Sequence, residues 1–190
     1  MDDKTTNELI IRIRVEDGIR QEFNQTLSDR VDRYLEVKPL EIVPYTHFSA
    51  VSVECALLFR DGHFYGCIAL TQAVAEALVE FLCRKNSVKH SKDFKTNVTR
   101  LAKVQFITHD SKASLLKIWE GRNDYHHLNT TIATDRQTLE RLAREKCKLL
   151  SMVEAEVFRF QIIDGVRVPE HPEYWDINDE KTQVFLRIDP

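Results

Sequence analysis

The apolar positions change period along the chain. Over residues 8–15, Ile11, Ile13 and Val15 alternate with Arg12 and Arg14, a period of two that predicts a strand ending at Asp17-Gly18. Leu27, Val31, Tyr34 and Leu35 then fall at helical spacing over residues 27–36, and Pro39 and Pro44 close this first section. Residues 48–59 are apolar and end at Arg60-Asp61-Gly62, a turn signal. Residues 63–83 carry Ile68, Leu70, Ala73, Val74, Ala77, Leu78, Phe81 and Leu82 as a broad stripe, so 48–83 reads as a helical hairpin.

A shorter helix is predicted over 93–106. Asp110 or Ser111 is placed to cap the next one, whose apolar positions are Leu115, Leu116, Ile118 and Trp119 and which Gly121 ends. The stretch RNDYHHLNTT from Arg122 reads as a polar loop. Thr134-x-x-Gln137 has the form of a capping box for a last long helix over 135–157, with Leu139, Leu142, Ala143, Leu149, Leu150, Val153 and Val157 inside. Beyond it, Asp164-Gly165 between apolar runs predicts a β-hairpin, and residues 183–188 a further strand. The fold class expected is mainly α, a helical bundle with a small β element from the N- and C-terminal segments. Residues 1–45 form an extension, 46–157 the bundle, and 158–190 a hairpin and tail packed on the same domain.

Composition narrows this picture. Five glycines and five prolines in 190 residues are too few for a loop-rich or all-β fold. Cys55, Cys67, Cys83 and Cys147 are scattered through apolar stretches without a C-x-x-C pair, so buried reduced thiols are expected rather than a zinc cage or a disulfide framework. No apolar run reads as long enough to span a bilayer, and the polar start is no signal peptide, so a cytoplasmic location is expected. The formal net charge of −3 does not announce a nucleic-acid binder, but the charge is unevenly spread. A belt from Arg84 to Lys103 holds Arg84, Lys85, Lys89, Lys92, Lys95, Arg100 and Lys103 against a single acid, Asp93, and the tail from Asp164 is acidic. A local basic belt attracts phosphate even on an acidic protein, which makes Arg84, Lys85, Lys89, Lys92 and Lys95 candidates for RNA binding.

Two stretches carry a resemblance. Residues 54–82, ECALLFRDGHFYGCIALTQAVAEALVEFL, are similar to the opening helical hairpin of the HEPN superfamily (higher eukaryotes and prokaryotes nucleotide-binding domain). Residues 122–127, RNDYHH, resemble that family's signature of Arg, a polar residue and then a His. Arg84 to His90 repeats the loose spacing, but Lys85 follows Arg84 where the signature asks for Asn, Asp or His. The resemblance spans about residues 48–157.

It implies a metal-independent endoribonuclease of antiviral defence or of a toxin–antitoxin pair, needing no cofactor. Arg122, Asn123 and His127 would be its catalytic residues, with His126 in reserve. A homodimer is implied as well, facing the pairs of two subunits across one cleft with the surface around the last helix as interface. An antitoxin or another regulatory protein would be a further partner. The residues suit the chemistry. Cleavage by the RNA's own 2′-hydroxyl needs proton transfer, which His127 can perform near neutral pH. It also needs charge stabilisation at phosphorus, which a forked guanidinium supplies. Glu76, which interrupts an Ala-rich stripe, is a candidate orienting acid. Tyr125 reads as a core anchor. Asn129 stands where some HEPN toxins carry a Tyr that a partner enzyme modifies. The competing reading is a non-catalytic module that binds nucleotide or RNA or acts as a scaffold, with Arg122 merely compensating helix-end carbonyls.

Overall fold

The turn at Arg60-Asp61-Gly62 shapes the centre of the computed structural model, which describes residues 3–175, 177–178, 181–182 and 184–187. Gly62 adopts φ +78°, a left-handed conformation that strains any L side chain, so the turn favours glycine there. Two helices meet at this turn, α2 (Ser49–Arg60) and α3 (Phe64–Lys85), close to the bounds the apolar pattern predicts. Helix α3 is long and apolar enough to cross a bilayer, against the sequence expectation. It is instead a core helix, packed against α2 and against α4 (Phe94–Lys103), α5 (His109–Trp119), α6 (Arg122–His127) and α7 (Arg136–Val157). Its buried side chains, among them Ile68, Val74, Leu78 and Leu82, join Phe59, Leu115, Ile118, Leu150 and Val153 in one core.

Among the described residues, three helices begin on side-chain caps. Asp93 accepts from Thr96 N, Thr108 from Ser111 N and Asp135 from Thr138 N. The caps of α5 and α7 are thus Thr108 and Asp135 rather than Asp110, Ser111 or Thr134. In each case a side chain one to three residues away from the predicted one reaches the free N–H. All four cysteines are buried free thiols, and Cys67 and Cys147 lie 3.2 Å apart, sulfur to sulfur.

The first section differs from its prediction. Residues 8–15 are not a strand, and Asp17-Gly18 is no turn. One helix, α1 (Asp3–Val37), runs through both. The alternation of Ile11, Ile13 and Val15 is only five residues long. A longer row spaced every four residues contains Ile11, Val15, Ile19, Phe23, Leu27, Val31 and Leu35. The end of α1 is tied to the bundle. Arg30 meets Asp61 at 3.5 Å, Arg33 donates to Glu140 at 3.2 Å, and Glu36 pairs with Arg144 and Lys148 at 2.8 Å each. The earlier part of α1 is exposed on every side.

The β structure is small and antiparallel. Strand β1 (Ile42–Pro44) pairs with β6 (Val184–Leu186), joining the two terminal segments, though through Ile42–Pro44 and not through residues 8–15. Gln183 and Ile188 of the predicted last strand lie outside the described residues. Strands β2 (Phe160–Ile163) and β3 (Val166–Pro169) form the expected hairpin around Asp164-Gly165, and β4 (Ile177–Asn178) pairs with β5 (Lys181–Thr182). The tail belongs to the core. Tyr174 and Trp175 are fully buried against Phe81, Phe158 and Phe160.

The tail also closes a buried ion pair. Both terminal nitrogens of Arg187 donate to Glu154, at 2.8 and 2.9 Å, and Ser52 Oγ donates to the same carboxylate at 2.6 Å. The side chains of Arg187 and Glu154 are 1% and 2% exposed, so water contributes almost nothing to their solvation.

Candidate functional site around Arg122

The site begins where α5 ends. Gly121 takes φ +70°, a left-handed conformation that turns the chain sharply. Arg122 to His127 then form the short helix α6 instead of the predicted polar loop. No side chain caps its start, so no local cap signal announces it. Leu128 stops it, also left-handed at φ +53°. Inside the turn, Tyr125 is buried against Tyr65 (5.6 Å between ring centres), and the Tyr65 hydroxyl donates to the Tyr125 carbonyl. Tyr125 is therefore the anchor of α6 on α3, as its residue type suggested.

A helical α6 sorts its polar residues into rows, because positions four apart share a face while positions five apart diverge by about 140°. Arg122 and His126 form one row, Asn123 and His127 the next. The first row faces α3. Arg122 Nη2 lies 3.4 Å from Glu76 Oε2, and its guanidinium stacks over the Trp119 ring with Cζ 4.7 Å from the centroid. Arg122 Nε is buried and has no hydrogen-bond partner among the described residues. His126 titrates below the ordinary histidine value. Partial burial comes first among the causes, then the neighbouring Arg122 charge, while Glu76 and the Ala69 backbone pull the other way. His126 remains exposed, as are His127 and Asn123 on the outer row.

Trp119 links this helix to the basic belt. Its other face stacks on Phe94, with ring centres 4.0 Å apart and planes at 11°. Phe94, Trp119 and Arg122 thus build one column, with Lys92 and Lys95 exposed on either side of Phe94 in the chain. One helical turn along α3 from Glu76, Glu80 pairs with His90 at 3.6 Å. Of the remaining belt residues, Arg84 and Lys89 are exposed, Arg100 donates to the Lys89 carbonyl at 2.7 Å, and Lys85 lies over Phe81. The sequence offered Glu76 as an orienting acid but favoured a solvated helix face for it, and the structure sets it 3.4 Å from Arg122. It gave no hint of the Trp119 platform, since a Trp at helical spacing looks like any core residue.

The carbonyls that end α5 are served by other side chains. Lys146, on α7, is 3% exposed and donates to the Ile118, Glu120 and Lys117 carbonyls at 2.6, 2.9 and 3.3 Å. Gln72, on α3, donates to Ile118 and Glu120 at 3.1 Å each. Arg122 is thereby free of the capping role that the non-catalytic reading assigned to it. A lysine among Ala143, Cys147 and Leu150 on the inner face of α7 is the signal that sequence reading passed over.

Burial lowers the Lys146 pKa to about 8, against the pull of Glu120 and Glu145. The unfolded chain therefore holds more protons than the folded one between pH 8 and 10.5, and stability contributed by this group rises with pH across that window. The three carbonyl acceptors favour the charged form and moderate the gain. Unfolding by urea at pH 7.5 and pH 10 is expected to show a gain of about 1–2 kcal/mol in wild type relative to Lys146→Met. Equal pH responses in the two proteins would contradict it.

Comparison with known proteins finds no matching family model, no matching curated protein and no matching solved structure.

Proposed function

We propose that this chain is a metal-independent endoribonuclease of the HEPN type, working in the cytoplasm as a toxin or in antiviral defence. One observation carries the reading: Gln72 and Lys146 take the helix-end carbonyls, while Arg122 is held on Trp119 beside His126. An arginine fixed by stacking and by one long contact to Glu76 keeps donors for a phosphate, and neutral His126 is ready to accept a proton.

In this scheme His126 takes the proton of the 2′-hydroxyl as its oxygen attacks phosphorus. Arg122 stabilises the charge on the phosphoryl oxygens, with Asn123 as an additional donor. His127, turned away from Arg122 of its own chain, protonates the departing 5′-oxygen in the cleft shared with a second subunit. The products are a 2′,3′-cyclic phosphate and a 5′-hydroxyl. The basic belt, entering through Lys92 and Lys95, guides the RNA backbone toward the Phe94–Trp119–Arg122 column. A second subunit would add its own Arg122, His126 and His127 to the cleft. A cognate antitoxin or another regulator would act by covering this surface.

The test is incubation of the full chain with mixed cellular RNA in excess EDTA, followed by end-group analysis. Fragments with 5′-hydroxyl and cyclic phosphate ends are expected. Salt-sensitive RNA binding with no cleavage would replace this reading with the binding-module one.

The contact of Arg122 with Glu76 favours that second reading, since an ion pair can be purely structural. The two separate on Glu76→Gln. A phosphate-directed Arg122 keeps or gains RNA affinity in this variant, whereas a structural one loosens α6.

A further inference from the structure

Two cysteines from distant parts of the chain meet in the core. Cys67, on α3, and Cys147, on α7, are 0% and 5% exposed. Their sulfurs lie 3.2 Å apart across a sequence separation of 80 residues. Neither takes part in the chemistry proposed around Arg122. We propose that Cys67 and Cys147 form a dithiol site that a peroxide oxidises to an intrachain disulfide, which staples α3 to α7.

Three features select this pair. The first is reach. A disulfide holds its sulfurs at about 2.05 Å, so each sulfur has roughly 0.6 Å to travel. Side-chain rotation spans a step of that size.

The second is access. Cys147 lines a narrow crevice between α2 and α7, with Val37, Pro39 and Ser151 around it, whereas Cys67 is sealed in the core. An oxidant therefore meets Cys147 first. Cys55 shares the crevice, but its thiol turns back along α2 and donates to the Val51 carbonyl at 3.7 Å.

The third is the polar setting of the sulfurs. The contact with Cys67 and burial push the Cys147 thiol well above its ordinary pKa. Thr71 opposes that rise, with Oγ1 3.8 Å from Cys147 Sγ and 4.0 Å from Cys67 Sγ. The pair is therefore stable as thiols at neutral pH and more reactive in alkali, where the thiolate forms.

The oxidation has two steps. Cys147 Sγ attacks one oxygen of hydrogen peroxide and the O–O bond breaks. A sulfenic acid forms, and the thiol proton leaves with the departing hydroxide as water. Cys67 Sγ then attacks the sulfenyl sulfur. The S–S bond forms, the S–O bond breaks, and the hydroxyl leaves with the Cys67 proton as a second water. Over both steps each sulfur gives up one electron and the peroxide takes two. The bond joins the two helices that hold the end of α5, since Lys146 precedes Cys147 and Gln72 follows Thr71. This inference concerns the core and does not rest on the ribonuclease reading.

The experiment treats the folded full chain with hydrogen peroxide at mildly alkaline pH. The chain is then unfolded with an alkylating reagent present and mapped by mass spectrometry without reduction. The expected product has lost two hydrogens, carries a Cys67–Cys147 link and is alkylated at Cys55 and Cys83. Oxidation in urea, where this geometry is gone, should instead give mixed pairings. The oxidised chain should unfold at higher urea, its folding equilibrium constant raised on the order of 100-fold by closure of the long loop. A folded chain that keeps all four thiols alkylatable, or a link that runs through Cys55 or Cys83, would overturn the proposal. So would an oxidised chain that unfolds at lower urea, because the fold would then resist the bond.

Discussion

Replacing Arg187 by alanine is expected to destabilise the folded chain by about 3–5 kcal/mol, the cost of leaving a buried carboxylate without its cation. Glu154 then keeps a single hydrogen bond, from Ser52, in a site where it is 2% exposed. Its remaining escape is to take up a proton, so the variant should be less unstable at acidic pH than at neutral pH. Glu154→Ala should be comparably harmful, because the Arg187 charge is then stranded. Glu154→Gln/Arg187→Met, which removes both charges and roughly conserves volume, should recover much of the loss. Urea unfolding of the four proteins reads these differences directly. Equal stability of wild type and Arg187→Ala would mean that the pair gains nothing from its geometry.

Arg122→Ala is expected to lower RNA cleavage by about 100- to 1000-fold, the usual effect of removing a main charge-stabilising donor. Global stability should fall by less than about 1 kcal/mol, since the partly exposed contact to Glu76 at 3.4 Å is a weak one. Arg122→Lys should rescue poorly, because an ammonium neither stacks on Trp119 nor forks toward two oxygens. His126→Ala and His127→Ala should each cost about 100-fold or more, as loss of a general acid or base does. The pH profile separates them. Since His126 titrates below the ordinary histidine value, the acid limb of kcat/KM should lie below pH 6.5. His127→Ala should leave that limb in place. Full activity in Arg122→Ala would end the ribonuclease assignment to this site.

Much of the bundle was legible in the sequence because its signals are local. Arg60-Asp61-Gly62 and Asp164-Gly165 each put a turn residue between apolar runs, and both turns are where they were read. The α1 helix was obscured because a helix that packs against nothing over most of its length shows no single apolar face. The short alternation at Ile11, Ile13 and Val15 then dominates a local reading. The α6 helix was obscured for another reason: it starts on a left-handed glycine without a side-chain cap, and its residues are polar. That difference matters for the site, because a loop leaves Arg122 and His127 free to meet while a helix turns them apart and brings His126 forward. The Glu154–Arg187 pair had no local signal at all. A carboxylate on a helix and an arginine 33 positions later look like surface residues until the tail folds back.

That last separation has a temporal side. During synthesis α7 is made first, and its Glu154 has no cation to meet until residue 187 has followed. A nascent chain that stops short of Arg187 cannot dry this part of its core without stranding a charge, nor can it pair β1 with β6. The bundle is thus held back from its final packing until the far segment is delivered. For a chain able to cut RNA, that delay would separate the moment of translation from the moment of activity.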